Sequence, residues 1–282
     1  AYITLDVVEA LKARVYLEME DYQNAAAAAQ GLINSKRYTL ISDGDAYKKM
    51  WLNDVGTEAI WQFAMSKTET GSNALGSSFM GIVDKLPRPS YLPVKSVLNL
   101  YDKENDIRYD AYFTTGLIDR QVGDDIEVTY CSKWPGNPEL YEGKSNNVNK
   151  LKAFRISEMY LIAAEAYAML NQEDKASEML NELKKIRIKG WTETVYNGAA
   201  LMQEIQDERV RELFAEGNRL FDMKRWKIGM KRSSSDAQRD DYLPALGTDI
   251  EKEATDNRWV WPIPKDEMDS NPQLKGQQNP GY

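Results

Sequence analysis

Histidine is absent from all 282 residues. Its absence removes Ser-His-Asp and Cys-His triads, histidine zinc sites and the commonest general base near neutral pH. Cysteine is nearly absent as well: Cys131 stands alone, so no internal disulfide and no thiolate metal cluster can form. A buried strand thiol is the expected role. No run approaches the ~18 apolar residues of a membrane-spanning helix. Positive charge is in deficit, with 36 Lys and Arg against 44 Asp and Glu and a formal net charge of -8. Polyanion binding needs clustered Lys and Arg, so nucleic acid is disfavoured and neutral ligands fit better.

What is present is helical periodicity and enough apolar side chain, 42% of the residues, for a substantial core. Ile156, Met159, Tyr160, Ala163, Tyr167 and Leu170 recur at three-and-four spacing. After the polar turn Asn171-Gln172-Glu173-Asp174 the pattern returns in Ala176, Met179, Leu180, Leu183 and Ile186. Together these stretches predict an antiparallel helical hairpin over about 155 to 188. A second hairpin is expected over about 5 to 34, in ungapped register with the first. Tyr16 falls on Tyr167, Ala13 on Ala164, Met19 on Leu170, Ala25 on Ala176 and Leu32 on Leu183. Val8, Leu11, Val15 and Met19 are expected to face inward on its first helix, and Tyr22, Ala25, Ala26, Ala29 and Ile33 on its second. Small residues where the helices cross follow the packing logic of the tetratricopeptide repeat, but tandem copies lie ~34 residues apart and these are separated by roughly four times that. An insertion therefore divides the array, and the two hairpins are expected to pack side by side.

The expected organisation is a hairpin over 1–40, a loop-rich insertion with short strands over 41–150, and a hairpin with a C-terminal region over 151–282, all one compact unit. Within the insertion, Ser42-Asp43-Gly44-Asp45 reads as a turn. Glu58 to Met65 and Ile126 to Lys133 read as strands. Gly143-Lys144-Ser145 imitates the end of a phosphate loop, but Pro138 stands where that motif requires glycine. Two stretches, 66–92 and 134–147, combine turn residues with aromatic rings, as loops that carry function often do.

Arg155, Glu158, Tyr160, Leu161, Ala164-Glu165-Ala166, Asn181, Arg187, Glu208-Arg209, Glu212-Leu213, Glu216-Gly217, Arg219, Asp222 and Arg225-Trp226 form a dispersed motif. Closing segments Trp261-Pro262-Ile263-Pro264 with Glu267, and Gln278-Asn279-Pro280-Gly281-Tyr282, complete it. This constellation resembles the SusD/RagB family of outer-membrane nutrient-binding lipoproteins. The resemblance implies a mainly α fold of tetratricopeptide-like hairpins with a loop-rich insertion. It also implies a structural rather than catalytic role for Arg155, Glu158, Glu208, Arg209, Glu212, Arg219 and Arg225. The chain lacks the lipobox cysteine and N-terminal helices with which family members begin, and so looks like the C-terminal portion of a longer protein.

Function follows as an expectation: non-catalytic capture of a glycan at the cell surface, for delivery to a SusC-like TonB-dependent outer-membrane transporter. No cofactor, metal, catalytic residue or nucleic-acid partner is expected, and membrane contact would come only through a lipid anchor outside this sequence. Sugars present apolar faces ringed by hydroxyls, so aromatic platforms with polar neighbours suit them. Phe79, Arg88, Tyr91, Trp134, Tyr141 and Trp191 are the candidate ligand residues, with Asn73, Asp84 and Asn137 as further polar partners. Alternative readings are a tetratricopeptide scaffold gripping a protein and a glycoside hydrolase using two carboxylates, which needs no histidine.

Overall fold

The computed structural model describes residues 2–68, 75–83, 86–120, 123–145, 147–239 and 251–282. It is mainly helical. Helices α1 (Leu5–Glu18) and α2 (Tyr22–Asn34) form the first hairpin. The Thr4 and Asp21 side chains cap them by accepting from the amides of Val7 and Asn24. The insertion follows as α3 (Gly44–Leu52), β1 (Ala59–Gln62), α4 (Leu75–Met80), two-residue strands β2 (Ile82–Val83) and β3 (Leu86–Pro87), α5 (Lys95–Leu98), α6 (Tyr109–Tyr112), and an antiparallel ribbon of β4 (Phe113–Ile118) with β5 (Ile126–Cys131). Strand β6 (Lys152–Arg155) then leads into the second hairpin, α7 (Ile156–Met169) and α8 (Glu173–Arg187), and into α9 (Gly198–Glu212).

The matched register extends to the turns. Glu20 and Asn171 each take a left-handed backbone, φ 59° and 58°, and each is followed by an amide donating 2.9 Å back to a tyrosine carbonyl, Asp21 to Tyr16 and Gln172 to Tyr167. Equivalent sequence positions thus make the same reversal. Helix α2 packs along α7, and α7 is also contacted by α1, α8 and α9, so the hairpins do lie side by side. Their shared core includes Ala13, Ala25, Ala29, Ala163, Ala164 and Ala176, where small side chains let the helix axes approach.

Two expected faces are corrected. Helix α7 is not amphipathic, because neighbours surround it: Ser157, Glu158 and Glu165 are buried with its apolar residues. Helix α1 buries Val7, Ala10, Ala13 and Leu17, whereas Val8, Leu11, Val15 and Met19 face solvent. It carries two apolar stripes, and the one with small residues took the close contact with α2. The Asp43-Gly44-Asp45 turn is instead the start of α3, whose first amides are capped by Asp43 accepting from Ala46 at 2.8 Å. Cys131 is fully buried in β5, and burial pushes its thiol up to about 11.

The insertion is more than loop. Tyr47, Met50, Trp51, Leu98, Tyr101, Ala111, Tyr112, Phe113 and Trp134 build a second, aromatic core, with Trp51 edge-on to Trp134 at 5.1 Å. Strand β1 pairs antiparallel with β6, which fixes the insertion to the start of α7.

Contacts divide the chain into residues 1–216 and 217–282, rather than one unit throughout. The break follows Glu216, at Gly217 with φ +87°. The second unit holds α10 (Arg219–Arg225), a ribbon of β7 (Met230–Lys231) with β8 (Glu251–Lys252), and α11 (Lys265–Ser270). Its two closing segments clasp each other: the Gln278 amide both accepts from the Ile263 amide at 2.8 Å and donates to the Ile263 carbonyl at 3.0 Å, and Asn279 donates to the Trp261 carbonyl. Among the described residues no helix is long and apolar enough to cross a membrane.

Candidate functional site

Beneath the insertion the chain buries a network of charges. Glu208 and Glu212 are one turn apart on α9 and point the same way. Arg155 reaches them from the end of β6, Arg187 from the last turn of α8 and Arg108 from the turn before α6. Arg155 donates to Glu212 Oε1 at 2.8 Å and to Glu58 at 3.0 Å. Arg187 holds Glu212 and Glu58 from the other side, at 2.9 Å each. Arg108 bridges Asp106, Glu208 and Glu212. Beyond Glu208 the chain of ion pairs continues through Arg211 and Glu204 to Lys184. Beyond Arg155 it continues through Glu216 to Lys133.

Burial alone would raise the Glu208 carboxyl, but Arg108 and Arg211 outweigh it and hold it at about 2. Glu212 is likewise held well below the carboxylate range, by Arg187 and Arg155 acting against burial. Burial moves the Lys133 ammonium down to about 8, although Glu216 opposes the shift. That ammonium also lies 3.9 Å from the Tyr112 ring centroid and 4.1 Å from that of Trp51. Carboxylates whose oxygens are filled by guanidinium donors in this way are committed to their ion pairs.

Of the residues expected to be structural, Arg155, Glu208 and Glu212 meet here, and Arg209 is buried beside them on α9. Glu158 is buried separately, gripped by Arg14 of α1 at 2.8 and 2.6 Å. Arg225 belongs to the second unit, where it pairs with Asp222 at 2.8 Å. Arg219 is exposed on α10, 6.0 Å from the Trp226 ring centroid. Arg108, Glu58, Arg14 and Lys133 have no place in the recognised motif. Only Asp106-x-Arg108, a local pair of opposite charges, hinted at one of them.

The candidate ligand residues separate into three settings. Phe79, near the end of α4, and Tyr91 form a tilted ring pair at 6.2 Å. Tyr91 is 64% exposed. Backbone bonds from Arg88 to Gly81 at 2.7 Å and from Ser90 to Ser78 at 2.9 Å strap this segment to α4, and the Arg88 guanidinium is paired with Asp119. The strapped segment thus carries both the exposed Tyr91 ring and, three residues before it, the paired Arg88. Tyr141 is half-buried past the 138–140 turn.

Trp134 and Asn137 are corrected. Trp134 is 2% exposed, its ring packed on Trp51 and its indole nitrogen donating to the Ala215 carbonyl at 3.2 Å. Asn137 is fully buried and donates to Asp54 at 2.9 Å. Their loop turns inward because Asp54, itself at φ 55°, organises it. This carboxylate accepts from Asn137, the Lys150 amide at 3.0 Å and Lys152 at 2.9 Å. Asn73 and Asp84 lie outside the described residues.

Trp191 occupies the third setting. Asn181 of α8 accepts its indole N–H at 3.0 Å and also ties down the following loop through Thr194. The Lys184 ammonium sits 4.1 Å from the ring centroid. Trp191 lines a cleft of about 390 Å³ with Asp102, Asn105, Lys184, Glu204 and Arg211. Lys184 and Arg211 are both paired with Glu204 at this cleft, and Lys189 lines it as well.

The model of the SusD family matches residues 125–282, more than half of the chain. A SusD-like protein, P38, of Formosa agariphila is 25% identical over 311 residues, covering 94% of this chain and 58% of the relative. A SusD superfamily crystal structure from Bacteroides thetaiotaomicron superposes with TM-score 0.77 at 27% identity, over 99% of this chain and 61% of that one. A putative sugar binding protein from Bacteroides vulgatus superposes with TM-score 0.71 at 26% identity, over 97% and 58%. The chain thus spans less than two thirds of the length of these relatives.

Proposed function

Because the chain belongs to the SusD family, we propose that it is part of a non-catalytic cell-surface protein that captures oligosaccharides or glycoconjugates and passes them to a SusC-like TonB-dependent outer-membrane transporter, with the lipid anchor outside this sequence. The observation that carries the ligand assignment is the Phe79–Tyr91 ring pair, with Tyr91 open to solvent and Arg88, paired with Asp119, three residues before it on the same strapped segment. A sugar ring laid on Tyr91 buries its C–H face, while hydroxyls at its edge meet groups that both donate and accept. The relative named as a putative sugar binding protein supports this reading.

The non-catalytic reading draws support from the buried carboxylates. Glu58, Glu208 and Glu212, all fully buried, are each committed to arginines, and Glu208 and Glu212 are held below the ordinary carboxylate range, the opposite of what a glycosidase general acid needs. Affinity electrophoresis of the full-length protein through a panel of polysaccharides tests the proposal. Retardation by at least one polysaccharide without release of product is expected; released product would overturn the non-catalytic reading, and no retardation by any would overturn glycan capture.

A further inference from the structure

The Trp191 cleft lies between two turns that the backbone stitches together. The Lys189 amide donates to the Asn105 carbonyl and the Ile107 amide to that of Arg187, each at 3.0 Å, and Asp106 bridges Ile188. Gly190 takes φ +75°, and the Trp191 amide folds back onto the Ile188 carbonyl at 3.2 Å. Held by Asn181 through its indole as well, Trp191 is a fixed, half-buried ring, and among the described residues no other ring packs on it. Leu100 and Ile188 add aliphatic wall. A volume of about 390 Å³ falls inside the ~300–1,000 Å³ of small-molecule sites.

Charge around this ring is unevenly satisfied. Lys184 and Arg211 share Glu204. The Asp102 carboxylate is spent on its own turn, accepting from the Glu104 and Asn105 amides at 3.1 Å each and from the Asn105 side chain at 2.9 Å. Lys189 remains: it lines the cleft, is exposed, and has no ion-pair partner among the described residues. Glu204 meets both of its cations through Oε1, so its Oε2, unpartnered among the described residues, is an acceptor for a hydroxyl.

We propose that this cleft is a second ligand site, for a negatively charged sugar whose ring lies on Trp191 and whose carboxylate or sulfate group is held by Lys189. The indole covers the C–H face of a pyranose. An ammonium is a point charge that takes either anion. A preformed cleft spares the ligand the cost of ordering it. The site shares with the Tyr91 surface only the sugar class of its ligand.

Saturation-transfer NMR titration of the full-length protein tests the proposal. The probes are methyl glucuronide, methyl galacturonide and methyl galactoside 6-sulfate, each against its neutral parent glycoside. At least one anionic glycoside is expected to bind at least about fivefold more tightly than its parent, and the uronide and sulfate arms identify the anion. Lys189→Glu should weaken that binding at least about tenfold while Lys189→Arg retains it. Both variants should melt like the wild type, since Lys189 is exposed. Equal affinity for charged and neutral glycosides would overturn the proposal, as would anionic binding that survives Lys189→Glu. Binding lost in Tyr91→Ala yet kept in Trp191→Ala would move the ligand to the Tyr91 surface and overturn it too. If a polysaccharide retards the protein but no anionic glycoside binds, this site fails alone and glycan capture stands.

Discussion

Arg155 and Glu212 meet at 2.8 Å with both side chains closed off from solvent. Each has further partners, so the pair is one link in a lattice that joins β6, α8, α9 and the turn before α6. Such lattices are asymmetric in energy. Built whole they add little over an apolar core, yet removing one member strands the rest. Glu212→Gln keeps the shape of the side chain but leaves Arg155, Arg187 and Arg108 short of a negative charge. A destabilisation of about 3–5 kcal/mol is expected by denaturant unfolding, with glycan affinity of the folded fraction unchanged. A loss below about 1 kcal/mol would show that solvent reaches the site.

Trp134 and Tyr91 are both loop aromatics in sequence, and the structure gives them opposite tasks. Trp134→Ala empties a packed position beside Trp51 and is expected to lower stability by about 3–5 kcal/mol. Tyr91→Ala removes an exposed ring, so the melting temperature should barely change while calorimetric glycan affinity falls several-fold, on the order of 1 kcal/mol. Undiminished affinity with Tyr91 removed would move the ligand away from this surface.

The hairpins were legible because periodicity and register are local signals: the Tyr16–Tyr167 match carried over even to the φ angles of Glu20 and Asn171. Which apolar stripe of α1 turns inward was not, since Val8 and Leu11 are as apolar as Val7 and Leu17, and only the neighbour decides. The charged centre was half legible. Glu208 and Glu212 stand in a recognisable motif, but Arg108 and Glu58 join them across 100 and more positions, and no local pattern reports such a meeting. Trp134 was misread for the same reason, because its burial depends on Asp54 and Trp51 from far earlier in the chain.

Gly76 gives a case where two local effects oppose each other. In α4 an alanine would favour the helix by about 1 kcal/mol. Its Cβ, however, would stand 2.2 Å from the Trp134 carbonyl oxygen and 2.7 Å from that of Asn147, both backbone atoms that cannot swing aside. Packing wins, and Gly76→Ala should destabilise by about 1–3 kcal/mol in thermal unfolding. A stabilised variant would mean that the 134–147 loop yields freely to α4.

Two buried groups of opposite sign make opposite predictions for pH. Glu208 is held at about 2 against an ordinary 4.5. Its contribution is therefore complete above 4.5 and fades as pH falls toward 2, where the folded state must finally take up the proton. Lys133 is lowered from 10.5 to about 8. Between those values the unfolded chain keeps a proton that the folded chain has released, so stability from this residue rises with pH across that window. Unfolding free energy measured from pH 2 to 10.5 should show both slopes. Glu208→Gln is expected to reduce the acid slope, with Glu212 and Glu216 keeping their shares, and Lys133→Met to reduce the rise above pH 8, with Lys152 keeping its share. An alkaline slope unchanged in Lys133→Met would mean that Lys133 keeps its proton inside its cage of Tyr112, Trp51 and Glu216.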